Sequence, residues 1–179
     1  ASRLYRLCVG SLCGGAGYIL GMPDDPARAL YLPHARLLGT IERHDTWGGD
    51  PFKTRGGWTI DVDELYAQAG RGPAEVDVMQ AYDDYPVINF MQLEDLGFCA
   101  KNEAPAFVRR HTFTVDGSFP FNTNGGQLSV GQAGAAGGYL GTVEALRQLT
   151  GAADATQVAD ARTALVSGFG MINYDRGLC

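Results

Sequence analysis

The apolar positions of the chain follow two spacings, one typical of helices and one typical of strands. Across residues 139–149 leucine or valine recurs at every third position, which predicts an amphipathic helix. Residues 61–69 and 87–98 also place apolar side chains near helical spacing. Gly70 and Gly97 stand where such helices commonly end. The pattern therefore predicts helices in these three segments.

Shorter apolar runs predict strands between the helices. They are residues 4–20 (one strand or a pair), 31–41, 75–81 and 163–166, and residues 168–179 are interpreted as a turn that leads into a further strand. Because strands and helices alternate along the chain, the pattern predicts an α/β fold in which a sheet is layered with helices.

Three longer segments lack a regular period and are interpreted as loops. They are residues 44–58, residues 103–121 with one short strand, and the glycine-rich residues 126–138. The chain holds 25 glycines, which concentrate in residues 10–21 and 125–141. Such local enrichment indicates tight turns and close backbone approach rather than disorder.

The charge balance narrows the function classes. The formal net charge is -6, whereas binding nucleic acid over a broad surface requires a basic face. The chain has no apolar window of about 18 residues, so no membrane-spanning helix is expected. A role on nucleic acid or across a membrane is therefore not predicted.

Cysteine and histidine spacing argues against a metal site. The cysteines are Cys8, Cys13, Cys99 and Cys179, and the histidines are His34, His44 and His111. Neither set has the spacing of zinc ligands. We expect reduced thiols in a cytoplasmic protein, with Cys8 and Cys13 in the core or in turns.

Two segments carry a more specific signal than composition does. The first is VDVMQAYDDY at residues 76–85, which leads into MQLEDLGFC at residues 91–99. The second is NTNGGQLS at residues 122–129, followed by Gly131 and the predicted helix at 139–149. Together they resemble the C-terminal domain of thiolases of the sterol-carrier or lipid-transfer type.

This resemblance implies a thiolase-like layered α-β-α domain with a mixed five-stranded sheet, formed by residues 1–179. In the family the nucleophilic cysteine lies in a similar N-terminal half, which this chain does not contain. The substrate implied is a coenzyme A thioester, with no covalently bound cofactor. The partners implied are the N-terminal thiolase half, a second copy in a homodimer, and a small subunit with a zinc ribbon and an OB-fold.

The resemblance also assigns the candidate catalytic residues. Thiolases carry a Gly-His-Pro histidine after the glycine-rich loop, and Gln132 stands in its place. Glutamine donates hydrogen bonds but does not exchange protons near neutral pH. Ser167 stands where the family has a late acid/base cysteine. Relatives that act as retro-aldolases use tyrosines instead, which makes Tyr82 and Tyr139 candidates.

Other residues keep two interpretations. Tyr82 and Tyr139 serve either catalysis or packing, and Asp83 and Asp84 could simply cap the following helix. Lys53 and Arg55 either contact CoA phosphates or belong to a solvated loop. The loop residues proposed to contact the CoA thioester are Gly125, Gly126, Ser129 and Gly131.

Two functions remain open from the sequence. The chain, with an N-terminal thiolase half, either cleaves or forms a carbon–carbon bond in an acyl-CoA, as a retro-aldolase or acyltransferase. Alternatively it is a non-catalytic thiolase-like subunit that binds acyl-CoA or stabilises a catalytic partner. The loss of the histidine and cysteine favours the second function for thiolysis, and the tyrosines favour retro-aldol cleavage.

Overall fold

The structure is a computed structural model that describes residues 21, 23, 28–29, 31–44, 46–50, 54–131 and 137–169, and the backbone of 177–178. The predicted strand at 4–20 lies outside the described residues, as do Cys8, Cys13, Lys53, Gln132 and Cys179. Within the described ranges, no helix is both long enough and apolar enough to cross a membrane.

Three of the helices match predicted helices, and two more lie in segments that the sequence predicts as loops. Their bounds are α1 Trp58–Ala69, α2 Pro86–Asp95, α3 Ala104–Arg110, α4 Gly126–Val130 and α5 Gly137–Leu149, with short 3₁₀ turns at Pro73–Glu75 and Asp154–Thr156. Gly70 ends α1 in the left-handed conformation, with φ 62°, as the sequence predicts.

The sheet contains four strands in the described residues. They are β1 Glu42–Arg43, β2 Val78–Ala81, β3 Ala164–Phe169 and β4 Gly177–Leu178. Their spatial order is β1-β4-β3-β2, with β2 parallel to β3 and the other pairs antiparallel. The predicted mixed sheet and α/β class are confirmed, whereas a fifth strand is not confirmed.

Helices cover both faces of β2 and β3. On one face Met79, Ala81, Leu165 and Phe169 join a core cluster with residues of α1, α2 and α3. On the other face α5 packs against both strands. Gly141 permits that approach, because an added Cβ would lie 3.1 Å from Val166 Cγ1 and 3.3 Å from Gln80 Cβ.

Several predictions about elements are wrong, and one of them is the loop at 126–138, because Gly126–Val130 form helix α4. Residues 31–41 do not form a strand, because most of their apolar side chains are exposed and only Ile41 joins the core. Helix α3 lies within the predicted loop at 103–121. Pro105 in its first turn and two arginines in its last turn are typical helix signals, and buried Phe107 anchors it.

Asp61 lies in the first turn of α1 and does not cap the helix. The helix begins at Trp58, and its N-cap residue Gly57 makes no side-chain cap. The Asp61 carboxylate instead accepts hydrogen bonds from the guanidinium of Arg43 on β1. This pairing lowers the pKa of Asp61 below its ordinary value, and it ties the sheet edge to α1.

The close approach of α5 to the sheet gives a stability prediction. We expect Gly141→Leu to lower the free energy of unfolding by about 1–3 kcal/mol, because the added side chain overpacks against Gln80 and Val166. Gly138→Leu in the same helix is the control, since an added Cβ there meets no atom within 4 Å. Urea unfolding of both variants measures the difference, and equal losses would contradict this packing.

Candidate active site

The candidate site lies where β2 and β3 end. The strands are parallel and in register, with Ala81 opposite Ser167, so their carboxyl ends meet at one edge of the sheet. Tyr82 follows β2 directly, and its N–H donates to the Ser167 carbonyl at 3.1 Å. In parallel α/β sheets this edge is where ligands commonly bind.

Gln92 of α2 fixes the main chain at Tyr82. Its side chain is fully buried. The side-chain oxygen accepts from the Tyr82 N–H at 3.1 Å and from the Ser167 hydroxyl. The side-chain nitrogen donates to the Tyr82 carbonyl at 2.7 Å. One amide thus links the ends of both strands and holds Tyr82 in place.

Asn122 holds the same strand end from its other side. Its Oδ1 accepts from the Ala81 N–H at 2.7 Å, and its Nδ2 donates to the Ala81 carbonyl at 3.1 Å. The Asn122 N–H also donates to the Met79 carbonyl at 2.9 Å. The segment that begins the glycine-rich loop is therefore hydrogen-bonded to β2.

The Tyr82 phenol has a defined partner. Its hydroxyl donates to Asp84 Oδ2 at 3.1 Å, and its ring lies 6.5 Å from that of Phe169. The side chain is half-buried. A phenol beside a carboxylate is able to pass on its proton.

Asp83 binds the glycine-rich loop instead of capping α2. The N-cap of α2 is Tyr85, and no side chain caps this helix. Asp83 is buried, and its Oδ1 accepts from the Gln127 N–H at 2.8 Å. Burial raises the pKa of the Asp83 carboxyl, although hydrogen bonds from the backbone of Gln127 and Leu128 oppose that shift.

The glycine-rich loop needs two of its glycines for its shape. Gly125 and Gly126 adopt φ values of 93° and 65°, which side-chain-bearing residues rarely adopt. An added Cβ at Gly126 would lie 1.9 Å from Asp83 Oδ2. This pair of glycines lets the loop reach the strand end, as the glycine enrichment at residues 125–141 predicts.

Two cavities meet at this strand end. The larger has a volume of about 760 Å³, and its apolar lining includes Leu37, Ile41, Leu65, Val76, Leu165 and Phe169. The smaller has a volume of about 20 Å³ and lies between β2, the glycine-rich loop and the start of α5. Both are lined by Tyr82, Gln127, Gly138, Val166 and Gly168.

The structure brings together only part of the predicted site. Tyr82 and Gly126 line the smaller cavity. Tyr139 is 63% exposed and lines the larger cavity from the first turn of α5. Gly125 and Ser129 are exposed, and with Gly131 they line neither cavity. Their contact with the thioester stays a prediction.

Sequence reasoning missed a buried polar network that connects α5 to β2. Thr123 Oγ1 donates to Glu144 Oε1 at 2.6 Å and accepts from Gln80 and Gln148, each at 3.0 Å. Glu144 is 1% exposed and pairs with Arg147 at 2.9 Å. Glu144 and Gln148 are polar residues between the apolar positions of the helix. The apolar period therefore does not indicate that they are buried.

Cys99 and Arg55 line neither of the two cavities. Burial raises the pKa of the Cys99 thiol, which disfavours the thiolate. Arg55 stacks on Trp47 at 3.5 Å and its Nε donates to Asp50 at 2.9 Å. In the described part of the chain, no cluster of three or more His, Cys, Asp or Glu side chains suits a metal ion.

The layered α/β domain, the polar strand ends and the glycine-rich loop together define a thiolase-type domain. Residues 50–177 match the thiolase C-terminal domain-like family, which confirms the resemblance seen in the sequence. The chain belongs to the thiolase C-terminal domain-like family.

Several characterised proteins are similar to this chain. The 17-hydroxy-3-oxo-4-pregnene-20-carboxyl-CoA lyase of Mycobacterium tuberculosis is 41% identical over 88 residues, which are 49% of this chain and 22% of that protein. The steroid side-chain-cleaving aldolase of Thermomonospora curvata is 38% identical over 104 residues, which are 58% of this chain and 26% of that protein.

A solved structure shares the fold. The Ltp2-ChsH2(DUF35) aldolase superposes with a TM-score of 0.70 at 31% identity, covering 85% of this chain and 41% of that chain. The chain thus spans about a quarter of the length of the two curated relatives and less than half of the solved one.

The buried Asp83 gives a prediction about pH. Because its pKa is raised in the folded state, its stabilising contribution is complete below the ordinary Asp pKa of about 3.9 and is lost as pH rises through the folded-state pKa. We expect the free energy of unfolding of the wild type, relative to Asp83→Asn, to fall between about pH 3 and pH 7. Urea titrations across that range measure this difference, and a difference that grows with pH would show the opposite shift.

Proposed function

We propose that this chain, with an N-terminal thiolase half, cleaves a carbon–carbon bond in a 3-hydroxyacyl-CoA by a retro-aldol reaction. The observation that carries the proposal is the position of Tyr82. Its phenol lies at the carboxyl ends of two parallel strands, beside a carboxylate, where two cavities meet. The relatives named as a lyase and an aldolase agree with this reaction class.

The proposed reaction needs a base and a place for the electron pair. The Tyr82 oxygen removes the proton of the substrate hydroxyl, and the bond between the hydroxyl-bearing carbon and its neighbour breaks. The hydroxyl carbon becomes a ketone or an aldehyde. The electron pair moves to the thioester, whose enolate then takes up a proton on carbon to give a shorter acyl-CoA. No oxidant or reductant is required.

The two cavities suggest where each part of the proposed substrate binds. The larger cavity, about 760 Å³, falls within the range of small-molecule pockets, and its apolar lining suits a bulky acyl group. We assign the thioester end to the glycine-rich loop, with Gly125, Gly126, Ser129 and Gly131 as contacts. Gln132 is the candidate donor to the thioester oxygen, and Tyr139 is the second candidate proton donor.

The proposed assembly supplies what this domain lacks. We propose that residues 1–179 form the C-terminal-like domain and that the N-terminal half completes both the sheet layer and the active site. A second copy in a homodimer and a small subunit with a zinc ribbon and an OB-fold are further proposed partners. The similar solved structure is the Ltp2-ChsH2(DUF35) aldolase, whose name joins two components, and this supports a partner subunit.

A second candidate function is a non-catalytic subunit that binds acyl-CoA. The observation that favours it is the burial and hydrogen bonding of Ser167. This serine is buried, and its hydroxyl donates a hydrogen bond to Gln92 Oε1. Since a hydroxyl is also a far weaker acid than a thiol, Ser167 does not replace the cysteine of thiolysis, and the domain then stabilises a catalytic partner.

Substitution of Tyr82 tests the proposed function. In the native assembly that contains this chain, we expect Tyr82→Phe to lower kcat for 3-hydroxyacyl-CoA cleavage by about 10²–10⁴-fold, since a general base is lost. The assay follows formation of the carbonyl product and the shorter acyl-CoA by mass spectrometry. Tyr139→Phe, in parallel, measures the contribution of the second tyrosine.

Tyr85→Phe is the matched control, because Tyr85 is an exposed tyrosine next to the site that lines neither cavity. It should retain the wild-type rate. If Tyr82→Phe cleaves as fast as Tyr85→Phe, Tyr82 is not the base. If the wild-type assembly binds acyl-CoA but yields no carbonyl product, the non-catalytic function replaces the proposed one.

A further inference from the structure

Two consecutive carboxylates follow Tyr82, and the structure gives them different surroundings. Asp83 is buried and committed to the backbone of Gln127 at 2.8 Å. Asp84 is half-buried, and its Oδ2 accepts the Tyr82 hydroxyl at 3.1 Å. The sequence alone treats the two aspartates alike, whereas the fold directs only one of them at the phenol.

In the described part of the chain, the Asp84 carboxylate contacts the Tyr82 hydroxyl and makes no other side-chain contact that would explain its position. The N-cap of α2 makes no side-chain hydrogen bond, so Asp84 does not cap that helix. Within the described ranges it pairs with no lysine, arginine or histidine. Besides burial, the charge of Asp84 raises the pKa of the neighbouring Asp83 carboxyl.

The phenol needs such a partner if it is to act as a base near neutral pH. A tyrosine hydroxyl has an ordinary pKa of about 10, so little phenolate is present at pH 7. A carboxylate in hydrogen-bond contact is able to take the phenol proton while the phenol oxygen takes one from the substrate. Asp84 is half-exposed, so it is able to exchange the proton with solvent afterwards.

We infer that Asp84 is the proton acceptor that makes Tyr82 a base, so that the two residues act as a dyad. The inference rests on the proposed function and names how its base is activated. One proton moves from the substrate hydroxyl to the Tyr82 oxygen, and one moves from Tyr82 to Asp84. The carbon–carbon bond breaks as described above, and the enolate later takes up one proton, so charge and protons balance.

The surroundings of Asp83 explain why it is not the proton acceptor. The Gly126 backbone crowds Asp83, as an added Cβ there would lie 1.9 Å from Asp83 Oδ2. Its other oxygen is occupied by the Gln127 N–H. Asp83 therefore positions the glycine-rich loop, whereas Asp84 is the positioning residue that acts through Tyr82.

The pH dependence of Asp84→Asn distinguishes a dyad from a merely structural contact. In the native assembly we expect kcat at pH 7 to fall by about 10²–10³-fold, with KM changed by less than about threefold. The rate of the variant should then rise about tenfold per pH unit toward the ordinary phenol pKa, because phenolate must form directly. Asp84→Glu, which keeps a carboxylate, should restore part of the neutral rate.

Asp63→Asn is the control, because Asp63 is an exposed aspartate on α1 that lines neither cavity. It should keep the wild-type pH profile. A loss in Asp84→Asn that is the same at every pH, or that appears only in KM, would overturn the dyad. Unchanged cleavage at pH 7 would overturn it as well.

A second readout separates this inference from the proposed function. Carbon-13 NMR of labelled tyrosine follows the ionisation of Tyr82, whose signal is identified by its loss in Tyr82→Phe. Removing the neighbouring negative charge in Asp84→Asn should move the Tyr82 titration to lower pH. If the assembly cleaves no substrate but the titration moves, the proposed function fails and the contact stands. Coincident titration curves would overturn the dyad whatever the activity.

Discussion

The buried amide of Gln92 is the interaction on which the site depends. A polar side chain inside an apolar core is stable only when its hydrogen bonds are satisfied. Gln92 belongs to α2, and its side-chain amide forms hydrogen bonds with the Tyr82 main chain and the Ser167 hydroxyl. The packing of α2 against β2 and β3 therefore sets where Tyr82 stands.

Other side chains converge on the same strand end from distant parts of the chain. Asn122 bonds to Ala81, and Asp83 bonds to the first turn of α4. Behind them, buried Glu144 joins α5 to Thr123 at 2.6 Å. These contacts tie the glycine-rich loop to the sheet, so the fold itself holds the polar groups at this strand end. Pre-formed polar groups of this kind favour catalysis because they need no reorganisation during the reaction.

The sequence predicts this fold where local chemistry determines it. The period of α5, the ending of α1 at Gly70 and the motif around Tyr82 are visible without coordinates, because spacing and glycine geometry are local properties. Helix α3 is not predicted because its end signals, Pro105 and the last-turn arginines, flank a helix of only 7 residues, too short to show a clear apolar period. The apolar side chains of residues 31–41 predict a strand. That prediction is wrong, because most of these side chains are exposed in this domain.

The hydrogen-bond partners in the site cannot be predicted from the sequence for a different reason. Gln92 and Ser167 are 75 residues apart, and Asp83 and Gln127 are 44 residues apart. A hydrogen bond at such a separation depends on the whole fold and leaves no periodic trace. The two adjacent aspartates show this most clearly, because only their surroundings assign one to the loop and the other to the phenol.

A crystal structure of the native assembly with a 3-hydroxyalkyl-CoA thioether tests the central claim most directly. This analogue keeps the hydroxyl but lacks the thioester carbonyl that accepts the electron pair, so it binds without cleavage. We predict that its hydroxyl lies within hydrogen-bond distance of the Tyr82 oxygen while Tyr82 remains in contact with Asp84, and that the alkyl group fills the larger cavity. An alkyl group bound elsewhere, with Tyr82 out of reach of the hydroxyl, would contradict the account.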